Sequence, residues 1–310
     1  MRRTLRIGTR GSPLALAQSR WVQSALHALR ADLQTELRTI KTTGDRAVEQ
    51  PLSQIGGKGV FVKEIEDALL TGTIDCAVHS MKDVPGELAR GLVIAAVPQR
   101  EDARDALVAR QPTTLDRLPH GARIGTGSLR RMAALRAARR DLQVLPLRGN
   151  VDTRLRKLDE GHVDAVVLAA AGLRRLGIER AGIELFDPEQ FIPAIGQGAL
   201  AVESRDDPVR ELLAGIDHSE SRIAVTAERA FLLRVGGSCH TPLAAHAIIR
   251  DGKLVVRAFI ASPDGTHFVR GARTGSVADA VQLGRDLGAE LLASGGAAIL
   301  QGLGETAHAG

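Results

Sequence analysis

What most constrains this chain is a local pattern that it repeats: a short apolar run, a polar turn of small residues, then a helix-like stretch with a basic residue near its start. The clearest case is 74–85. Residues 74–78 are apolar apart from Asp75, follow Gly72 and carry branched side chains, as a largely buried strand does. The run breaks into His79-Ser80-Met81-Lys82-Asp83-Val84, which Pro85 closes. A parallel α/β sheet binds ligands just beyond the carboxyl ends of its strands. Ser80, Lys82 and Asp83 are therefore expected to face a cleft. The alternative for this single turn is a solvated Lys/Asp pair on the surface.

The same pattern recurs along the chain. A strand over 5–9 meets Arg10-Gly11-Ser12-Pro13 and a helix over 13–29. Ser12 suits the N-cap and Pro13 the first helical position. Arg10 and Ser12 stand where a helix N-terminus favours an anion; the alternative is an ordinary capped turn. Next, Arg123-Ile124-Gly125-Thr126-Gly127-Ser128-Leu129-Arg130-Arg131 joins a short strand to a helix start carrying two arginines. It lacks the lysine of a P-loop and the glycine spacing of a dinucleotide fingerprint. A strand over 142–147 ends at Arg148-Gly149-Asn150, with Arg154 one turn into the following helix. A buried strand over 163–171 leads to Gly172-Leu173-Arg174-Arg175. Arg136, Arg139 and Arg140 fit a solvated basic face. The planar fork of arginine binds carboxylates and phosphates in a bidentate way. Several arginines at strand ends thus point to a cleft for multiple carboxylates or phosphates.

At 310 residues the chain is too long for one typical domain, and its 44% apolar content is enough for several cores. No run reaches the roughly 20 apolar residues of a membrane span, and the opening residues lack a signal-peptide pattern. The expected setting is cytoplasmic. With aromatics at 2% and no tyrosine, a stacking platform for single-stranded nucleic acid is disfavoured despite the +5 charge. Of the two cysteines, Cys76 sits in an apolar strand as a core residue, while Cys239 lies in the loop Gly236-Gly237-Ser238-Cys239-His240-Thr241-Pro242. No paired Cys or His spacing suggests zinc.

Further strands are expected over 33–40, 92–97 and 105–109, and a helix over 60–70 whose first residues bring Phe61 close to Lys58. The segment 42–57, glycine-rich and without periodicity, reads as a lid. A domain crossing is placed at 98–102 and a hinge at 191–200, with a strand over 199–203 returning to the first domain. A helix over 219–234 precedes antiparallel strands over 243–249, 254–260 and 266–271, turned by Asp251-Gly252 and Pro263-Asp264-Gly265. A helix over 277–292 and a loose tail from 302 complete the chain. No internal repeat is read.

Taken in order, these motifs resemble the porphobilinogen deaminase family along almost the whole chain. The carriers are Val78-His79-Ser80-Met81-Lys82-Asp83-Val84-Pro85, Gly8-Thr9-Arg10-Gly11-Ser12-Pro13, Gly57-Lys58-Gly59-Val60-Phe61, Gly125-Thr126-Gly127-Ser128-Leu129-Arg130-Arg131, Leu147-Arg148-Gly149-Asn150-Val151, Gly196-Gln197-Gly198-Ala199 and the Cys239 loop. The resemblance implies an α/β fold of three domains. Two are similar to type II periplasmic binding proteins and joined by a hinge (1–98 plus 197–216, and 99–196). The third is a small α/β domain over 217–310 that carries Cys239.

The resemblance also implies a transferase of tetrapyrrole, haem-type, biosynthesis, acting as a monomer. It would join porphobilinogen head to tail, release ammonia and yield hydroxymethylbilane, with a dipyrromethane cofactor bound to Cys239 by a thioether. Asp83, with Lys82, would be catalytic, its carboxylate stabilising a cationic azafulvene and helping move protons. Cofactor contacts would come from Ser80, Lys82, Asp83, Thr126, Ser128, Arg130, Arg131, Arg148 and Gly149. Substrate contacts would come from Arg10, Ser12, Lys58, Phe61, Arg148, Arg154, Arg175 and Gln197. Gln54 departs from the basic residue often found there in the family. The competing reading, from the same fold, is a non-catalytic binding protein for an acidic ligand; nucleic-acid binding is a distant third. The cysteine loop and Asp83 set among bases favour the enzyme.

Overall fold

The computed structural model describes residues 4–43, 62–237 and 241–307. Ten strands build two five-stranded sheets: β1 (Leu5–Thr9), β2 (Thr35–Thr39), β3 (Cys76–Ser80), β4 (Leu92–Ala96), β5 (Asp105–Ala109), β6 (Arg123–Thr126), β7 (Gln143–Pro146), β8 (Ala165–Ala169), β9 (Glu184–Leu185) and β10 (Leu200–Arg205). The helices among them are α1 (Pro13–Leu29), α2 (Lys63–Leu70), α3 (Leu129–Ala138), α4 (Val151–Asp159), α5 (Ala170–Arg175) and α6 (Val209–Leu213). After α7 (Ser219–Val235) come β11 (Leu243–Arg250), β12 (Lys253–Ala261) and β13 (Phe268–Ser276), then α8 (Ala280–Leu291) and α9 (Ala297–Ala307). The chain forms two compact units, one of residues 1–101, 175–177 and 198–222, the other of 102–174, 178–197 and 223–310.

In the first unit the sheet runs β2-β1-β3-β10-β4. β1 is parallel to β2 and β3, while β10 lies antiparallel between β3 and β4. The sheet of the second unit runs β7-β6-β8-β5-β9, with β5 as its one reversed strand between β8 and β9. The two orders are equivalent, strand for strand, and give the periplasmic-binding-protein-like architecture that the family resemblance implies. Both faces of the second sheet are covered. Ala106, Val108, Val166 and Leu168 face Leu155, Leu158 and Leu173, while Leu107, Val167 and Ile124 face Leu135 and Phe191. Two-sided burial explains why these strands read as unbroken apolar runs.

The equivalence reaches individual residues, so the reading of no internal repeat is corrected. Arg6-Ile7-Gly8-Thr9 in β1 matches Arg123-Ile124-Gly125-Thr126 in β6. In each unit an aspartate just before the third parallel strand clamps that arginine. Arg6 Nη2 lies 2.7 Å from Asp75 Oδ1, and Arg123 Nη2 lies 2.9 Å from Asp164 Oδ1. The backbone N–H of each arginine also donates to its aspartate at 2.9 Å. Ser12 and Ser128 then cap the helix that follows.

The third sheet is the antiparallel meander β11-β12-β13. One face packs on α7 and α8 through Phe231, Val256, Ile260, Leu287 and Leu291; the other carries Phe259 and Ala244 against Ala133 of α3 and Ile192. The Asp251-Gly252 turn has both residues at positive φ, 51° and 71°, as a two-residue hairpin requires.

Three expectations shift. The buried strand expected over 163–171 ends at Ala169 and α5 takes over, because an alanine-rich buried run suits either state. β13 continues to Ser276 instead of stopping at 271. Glycine there is a packing choice: a Cβ at Gly275 would lie 2.9 Å from Leu283 of α8. Within the tail expected to be loose from 302, residues 302–307 form the second half of α9. No described helix is long and apolar enough to cross a membrane.

Cys76 is fully buried in β3, and burial pushes its thiol well above the ordinary range. Cys76→Ala should fold and keep activity with a stability loss of about 1 kcal/mol. In the native wild type at neutral pH, a thiol reagent should leave Cys76 unlabelled; labelling as fast as in urea would contradict this placement.

Candidate active site

In the first unit the carboxyl end of β3 opens onto a cleft. Arg10, Ser12, Gln18, His79, Ser80 and Asp83 supply its polar lining; Leu14, Ala15, Val62 and Val78 supply the apolar wall. The turn Met81–Asp83 is a single 3₁₀ turn, pinned by Met81 N–H donating to Ala199 O at 3.0 Å. Met81 and Val84 point into the core, which leaves Lys82 and Asp83 exposed between them. Asp83 reaches the cleft, while Lys82 is not among the lining residues.

Ser12 both caps α1, accepting from Ala15 N–H at 3.3 Å, and lines the cleft. Gln18 was not anticipated from sequence. It is buried on α1 and donates to Ser80 Oγ at 2.8 Å, fixing that hydroxyl. Its position one and a half turns after the Ser12 cap is the signal that could have found it. Arg175 also belongs to this unit. Its guanidinium donates to Gly198 O at 2.7 Å, and burial lowers its basicity.

In the second unit Arg130 and Arg131 meet around Asp105, which opens β5 and is fully buried. Arg130 Nη1 lies 2.8 Å from Asp105 Oδ2, and Arg131 Nη2 lies 2.8 Å from Oδ1. Arg130 also donates to Ile192 O and Arg131 to Val167 O. Gln197 completes the cluster: its amide donates to Asp105 Oδ1 at 2.9 Å and accepts from Arg131 at 3.3 Å. Burial opposes the Asp105 charge, but the two guanidiniums outweigh it and hold the carboxyl far below its usual range. Arg130, Arg131 and Gln197, expected as ligand contacts, thus carry a structural ion cluster as well.

Thr126 is buried and its hydroxyl accepts from Ser128 N–H at 3.2 Å; Ser128 caps α3 by accepting from Arg131 N–H at 3.4 Å. Arg148 and Gly149 follow β7. Gly149 has φ of 114°, and a Cβ there would meet Thr153 at 2.6 Å, so the turn needs glycine. Arg154 donates to Gly149 O at 2.9 Å. Burial first, then the charges of Arg131 and Arg148, push Arg154 down to about 10. These three cations therefore stand within one another's field, a cost that an anionic ligand would relieve. Lys58, Phe61, Gln54 and Cys239, and the lid over 42–57 from residue 44 onward, lie outside the described residues.

Asp105→Asn should cost about 3–5 kcal/mol, because it leaves buried guanidiniums without their counter-charge. The ionised Asp105 stabilises the fold fully above about pH 4, the unfolded carboxylate range. That contribution is lost only as pH falls toward the lower folded value. Urea unfolding measures both effects; wild-type stability in Asp105→Asn would overturn the role.

Two family models match the chain. The first, described as the porphobilinogen deaminase dipyrromethane cofactor binding domain, matches residues 5–211, and the second, the porphobilinogen deaminase C-terminal domain, matches 222–293. A porphobilinogen deaminase of Syntrophobacter fumaroxidans is 51% identical over 301 residues, 96% of this chain and 97% of that one. Those of Roseiflexus castenholzii and Sorangium cellulosum are each 52% identical, over 97% and 93% of this chain and 100% and 98% of theirs. On two matched domains and near-complete alignment to these relatives, the chain belongs to the porphobilinogen deaminase family.

Proposed function

We propose that the chain condenses porphobilinogen head to tail, releasing ammonia and the linear tetrapyrrole hydroxymethylbilane, with Asp83 as the carboxylate that carries the reaction. The observation behind this is the setting of Asp83: an exposed carboxylate at a strand end, lining a cleft with Arg10, Ser12 and Ser80. Loss of ammonia from porphobilinogen leaves a cation spread over the pyrrole. A carboxylate fixed beside the ring N–H offsets that charge as it develops. Arg10 and the Ser12 and Ser80 hydroxyls are placed to hold the acidic side arms of the substrate, and Gln18 keeps Ser80 in position. Val62 and Val78 limit water at the reacting ring.

The cofactor of the family is a dipyrromethane, which when bound supplies the pyrrole end on which the chain grows. The residues of the second unit suit such a group. Arg131, Arg148 and Arg154 form a crowded positive cluster that acetate and propionate arms would neutralise. Ser128 and Thr126 add hydroxyls at the start of α3, where backbone N–H groups favour anions. Cys239 is proposed as the thioether anchor, because a thiolate is a strong nucleophile toward an azafulvene-type carbon and Cys76 is sealed in the core. On the family resemblance, the segment 217–310 serves as the cofactor-bearing domain and the protein works as a cytoplasmic monomer. A binding protein for an acidic ligand shares the fold alone.

Asp83→Asn should stay folded and keep its cofactor, yet lose most turnover of porphobilinogen; near-normal turnover would sink the assignment. Arg148→Leu should raise KM for porphobilinogen, because a bidentate carboxylate partner is lost, and an unchanged KM would argue against that contact. Intact mass of the purified protein should exceed the sequence mass by two pyrrole units. The excess should map to Cys239 and vanish in Cys239→Ser. An adduct on Cys76 would displace the proposed anchor.

A further inference from the structure

His79 stands in the cleft beside Ser80 and has not been given a task. It is only 6% exposed, and its Nε2 is sealed from solvent, 3.0 Å from Oε2 of Glu203 on β10. Glu203 is 1% exposed, and neither of its oxygens accepts a hydrogen bond from a described residue. The separation is that of a hydrogen bond but the alignment is not, which is common in catalytic pairs before substrate tightens them. A carboxylate removed from water without hydrogen bonds is costly to keep unless a proton or a cation sits against it. The imidazole is the group in that place.

We propose that His79, backed by Glu203, is the proton acceptor of the cleft, and that Glu203 is the positioning residue that keeps the ring's proton on Nε2 and its Nδ1 available to the cleft. The inference rests on the condensation reading above. Each condensation forms one carbon–carbon bond at a pyrrole ring carbon. That carbon's C–H bond then breaks, its electron pair restores the aromatic ring, and the proton must leave. Nδ1 takes the proton and passes it to water, which returns His79 to its neutral form. Asp83, at the same cleft, is left to offset the positive charge on the ring. A buried carboxylate that sets the tautomer of a histidine whose other nitrogen does chemistry is a recurrent device.

Several other described charges face this pair. Arg10 and Asp83 share the cleft lining, and Lys82 is exposed on the same turn. From α2, Glu66 is half-buried. Its carboxyl is held above the ordinary range first by burial and then, less strongly, by repulsion from Glu203; an N–H of Ala89 and the charge of His79 oppose that. Asp67 adds a smaller repulsion to Glu66. Glu66 and Glu203 thus lie close enough for their charges to register on each other.

The test uses the cofactor-loaded enzyme, with loading checked by intact mass in every variant. In ¹⁵N-histidine spectra of the wild type above neutral pH, the His79 signals, assigned by their loss in His79→Gln, should report the proton on Nε2. In Glu203→Gln they should move toward a mixture of tautomers. His79→Gln should lower kcat by about 10²–10⁴-fold with KM within about two-fold, the loss typical of a missing acid–base group. Glu203→Gln should fall between it and the wild type, and Glu203→Asp should recover part of the loss. A wild-type proton on Nδ1, or a loaded His79→Gln enzyme with wild-type kcat, overturns the proposal. If a variant does not fold, the wild-type tautomer decides alone. A loaded wild type that leaves porphobilinogen unconsumed would instead overturn the functional reading itself.

Discussion

The second unit depends on one buried carboxylate facing two buried guanidiniums. Asp105 neutralises one positive charge and leaves another, and the remainder is held by carbonyls and by Gln197. A single cluster thereby ties the first residue of β5 to the start of α3, the middle of β8 and the 191–197 segment. The same imbalance explains the chemistry of that unit. Arg131 cannot be fully compensated from within, so its field extends to Arg154 and adds to that of Arg148. The cluster carries enough negative charge to fold and leaves a net positive charge behind it.

The two units solve the same folding problem with the same parts and then diverge in the turns that follow their third parallel strands. Arg6–Asp75 and Arg123–Asp164 are equivalent clamps, and Thr9 and Thr126 are equivalent fully buried threonines. Beyond these the turns differ. After β3 comes a 3₁₀ turn with Lys82 and Asp83 in solvent; after β8 the chain runs straight into α5, whose first four residues are buried. One unit therefore offers a carboxylate within a cleft and the other a set of cations. Division of labour followed from turn chemistry on a shared frame.

Much of this was legible in the sequence because it lies in local rules. Ser12 reads as a cap and is one, and Asp251-Gly252 reads as a hairpin turn and is one. The turn after β3 was placed from an apolar run and a proline. What escaped was long-range. Asp105 looks like an ordinary strand-opening residue, and nothing near it announces two arginines at sequence separations of 25 and 26. The internal repeat escaped because its parts are far apart and unevenly so: arginine and aspartate are 69 residues apart in one unit and 41 in the other. Glu203 was read only as the end of a returning strand. Its meeting with His79 exists only once β10 is laid against β3, with Glu203 opposite Ala77.

That placement of β10 also orders events during synthesis. β10 is not an edge strand: it fills the gap between β3 and β4, which do not touch each other. Until Arg205 leaves the ribosome, the first sheet is two separate pieces with open backbone edges, the kind of surface that pairs wrongly with other chains. At ribosomal speeds the interval between β4 and β10 lasts roughly 5–20 s. The sheet of the second unit, by contrast, is encoded in one unbroken stretch, from β5 to β9. The sheet whose strands begin later is thus the one able to close first, and the sheet that leads into Asp83 waits for β10.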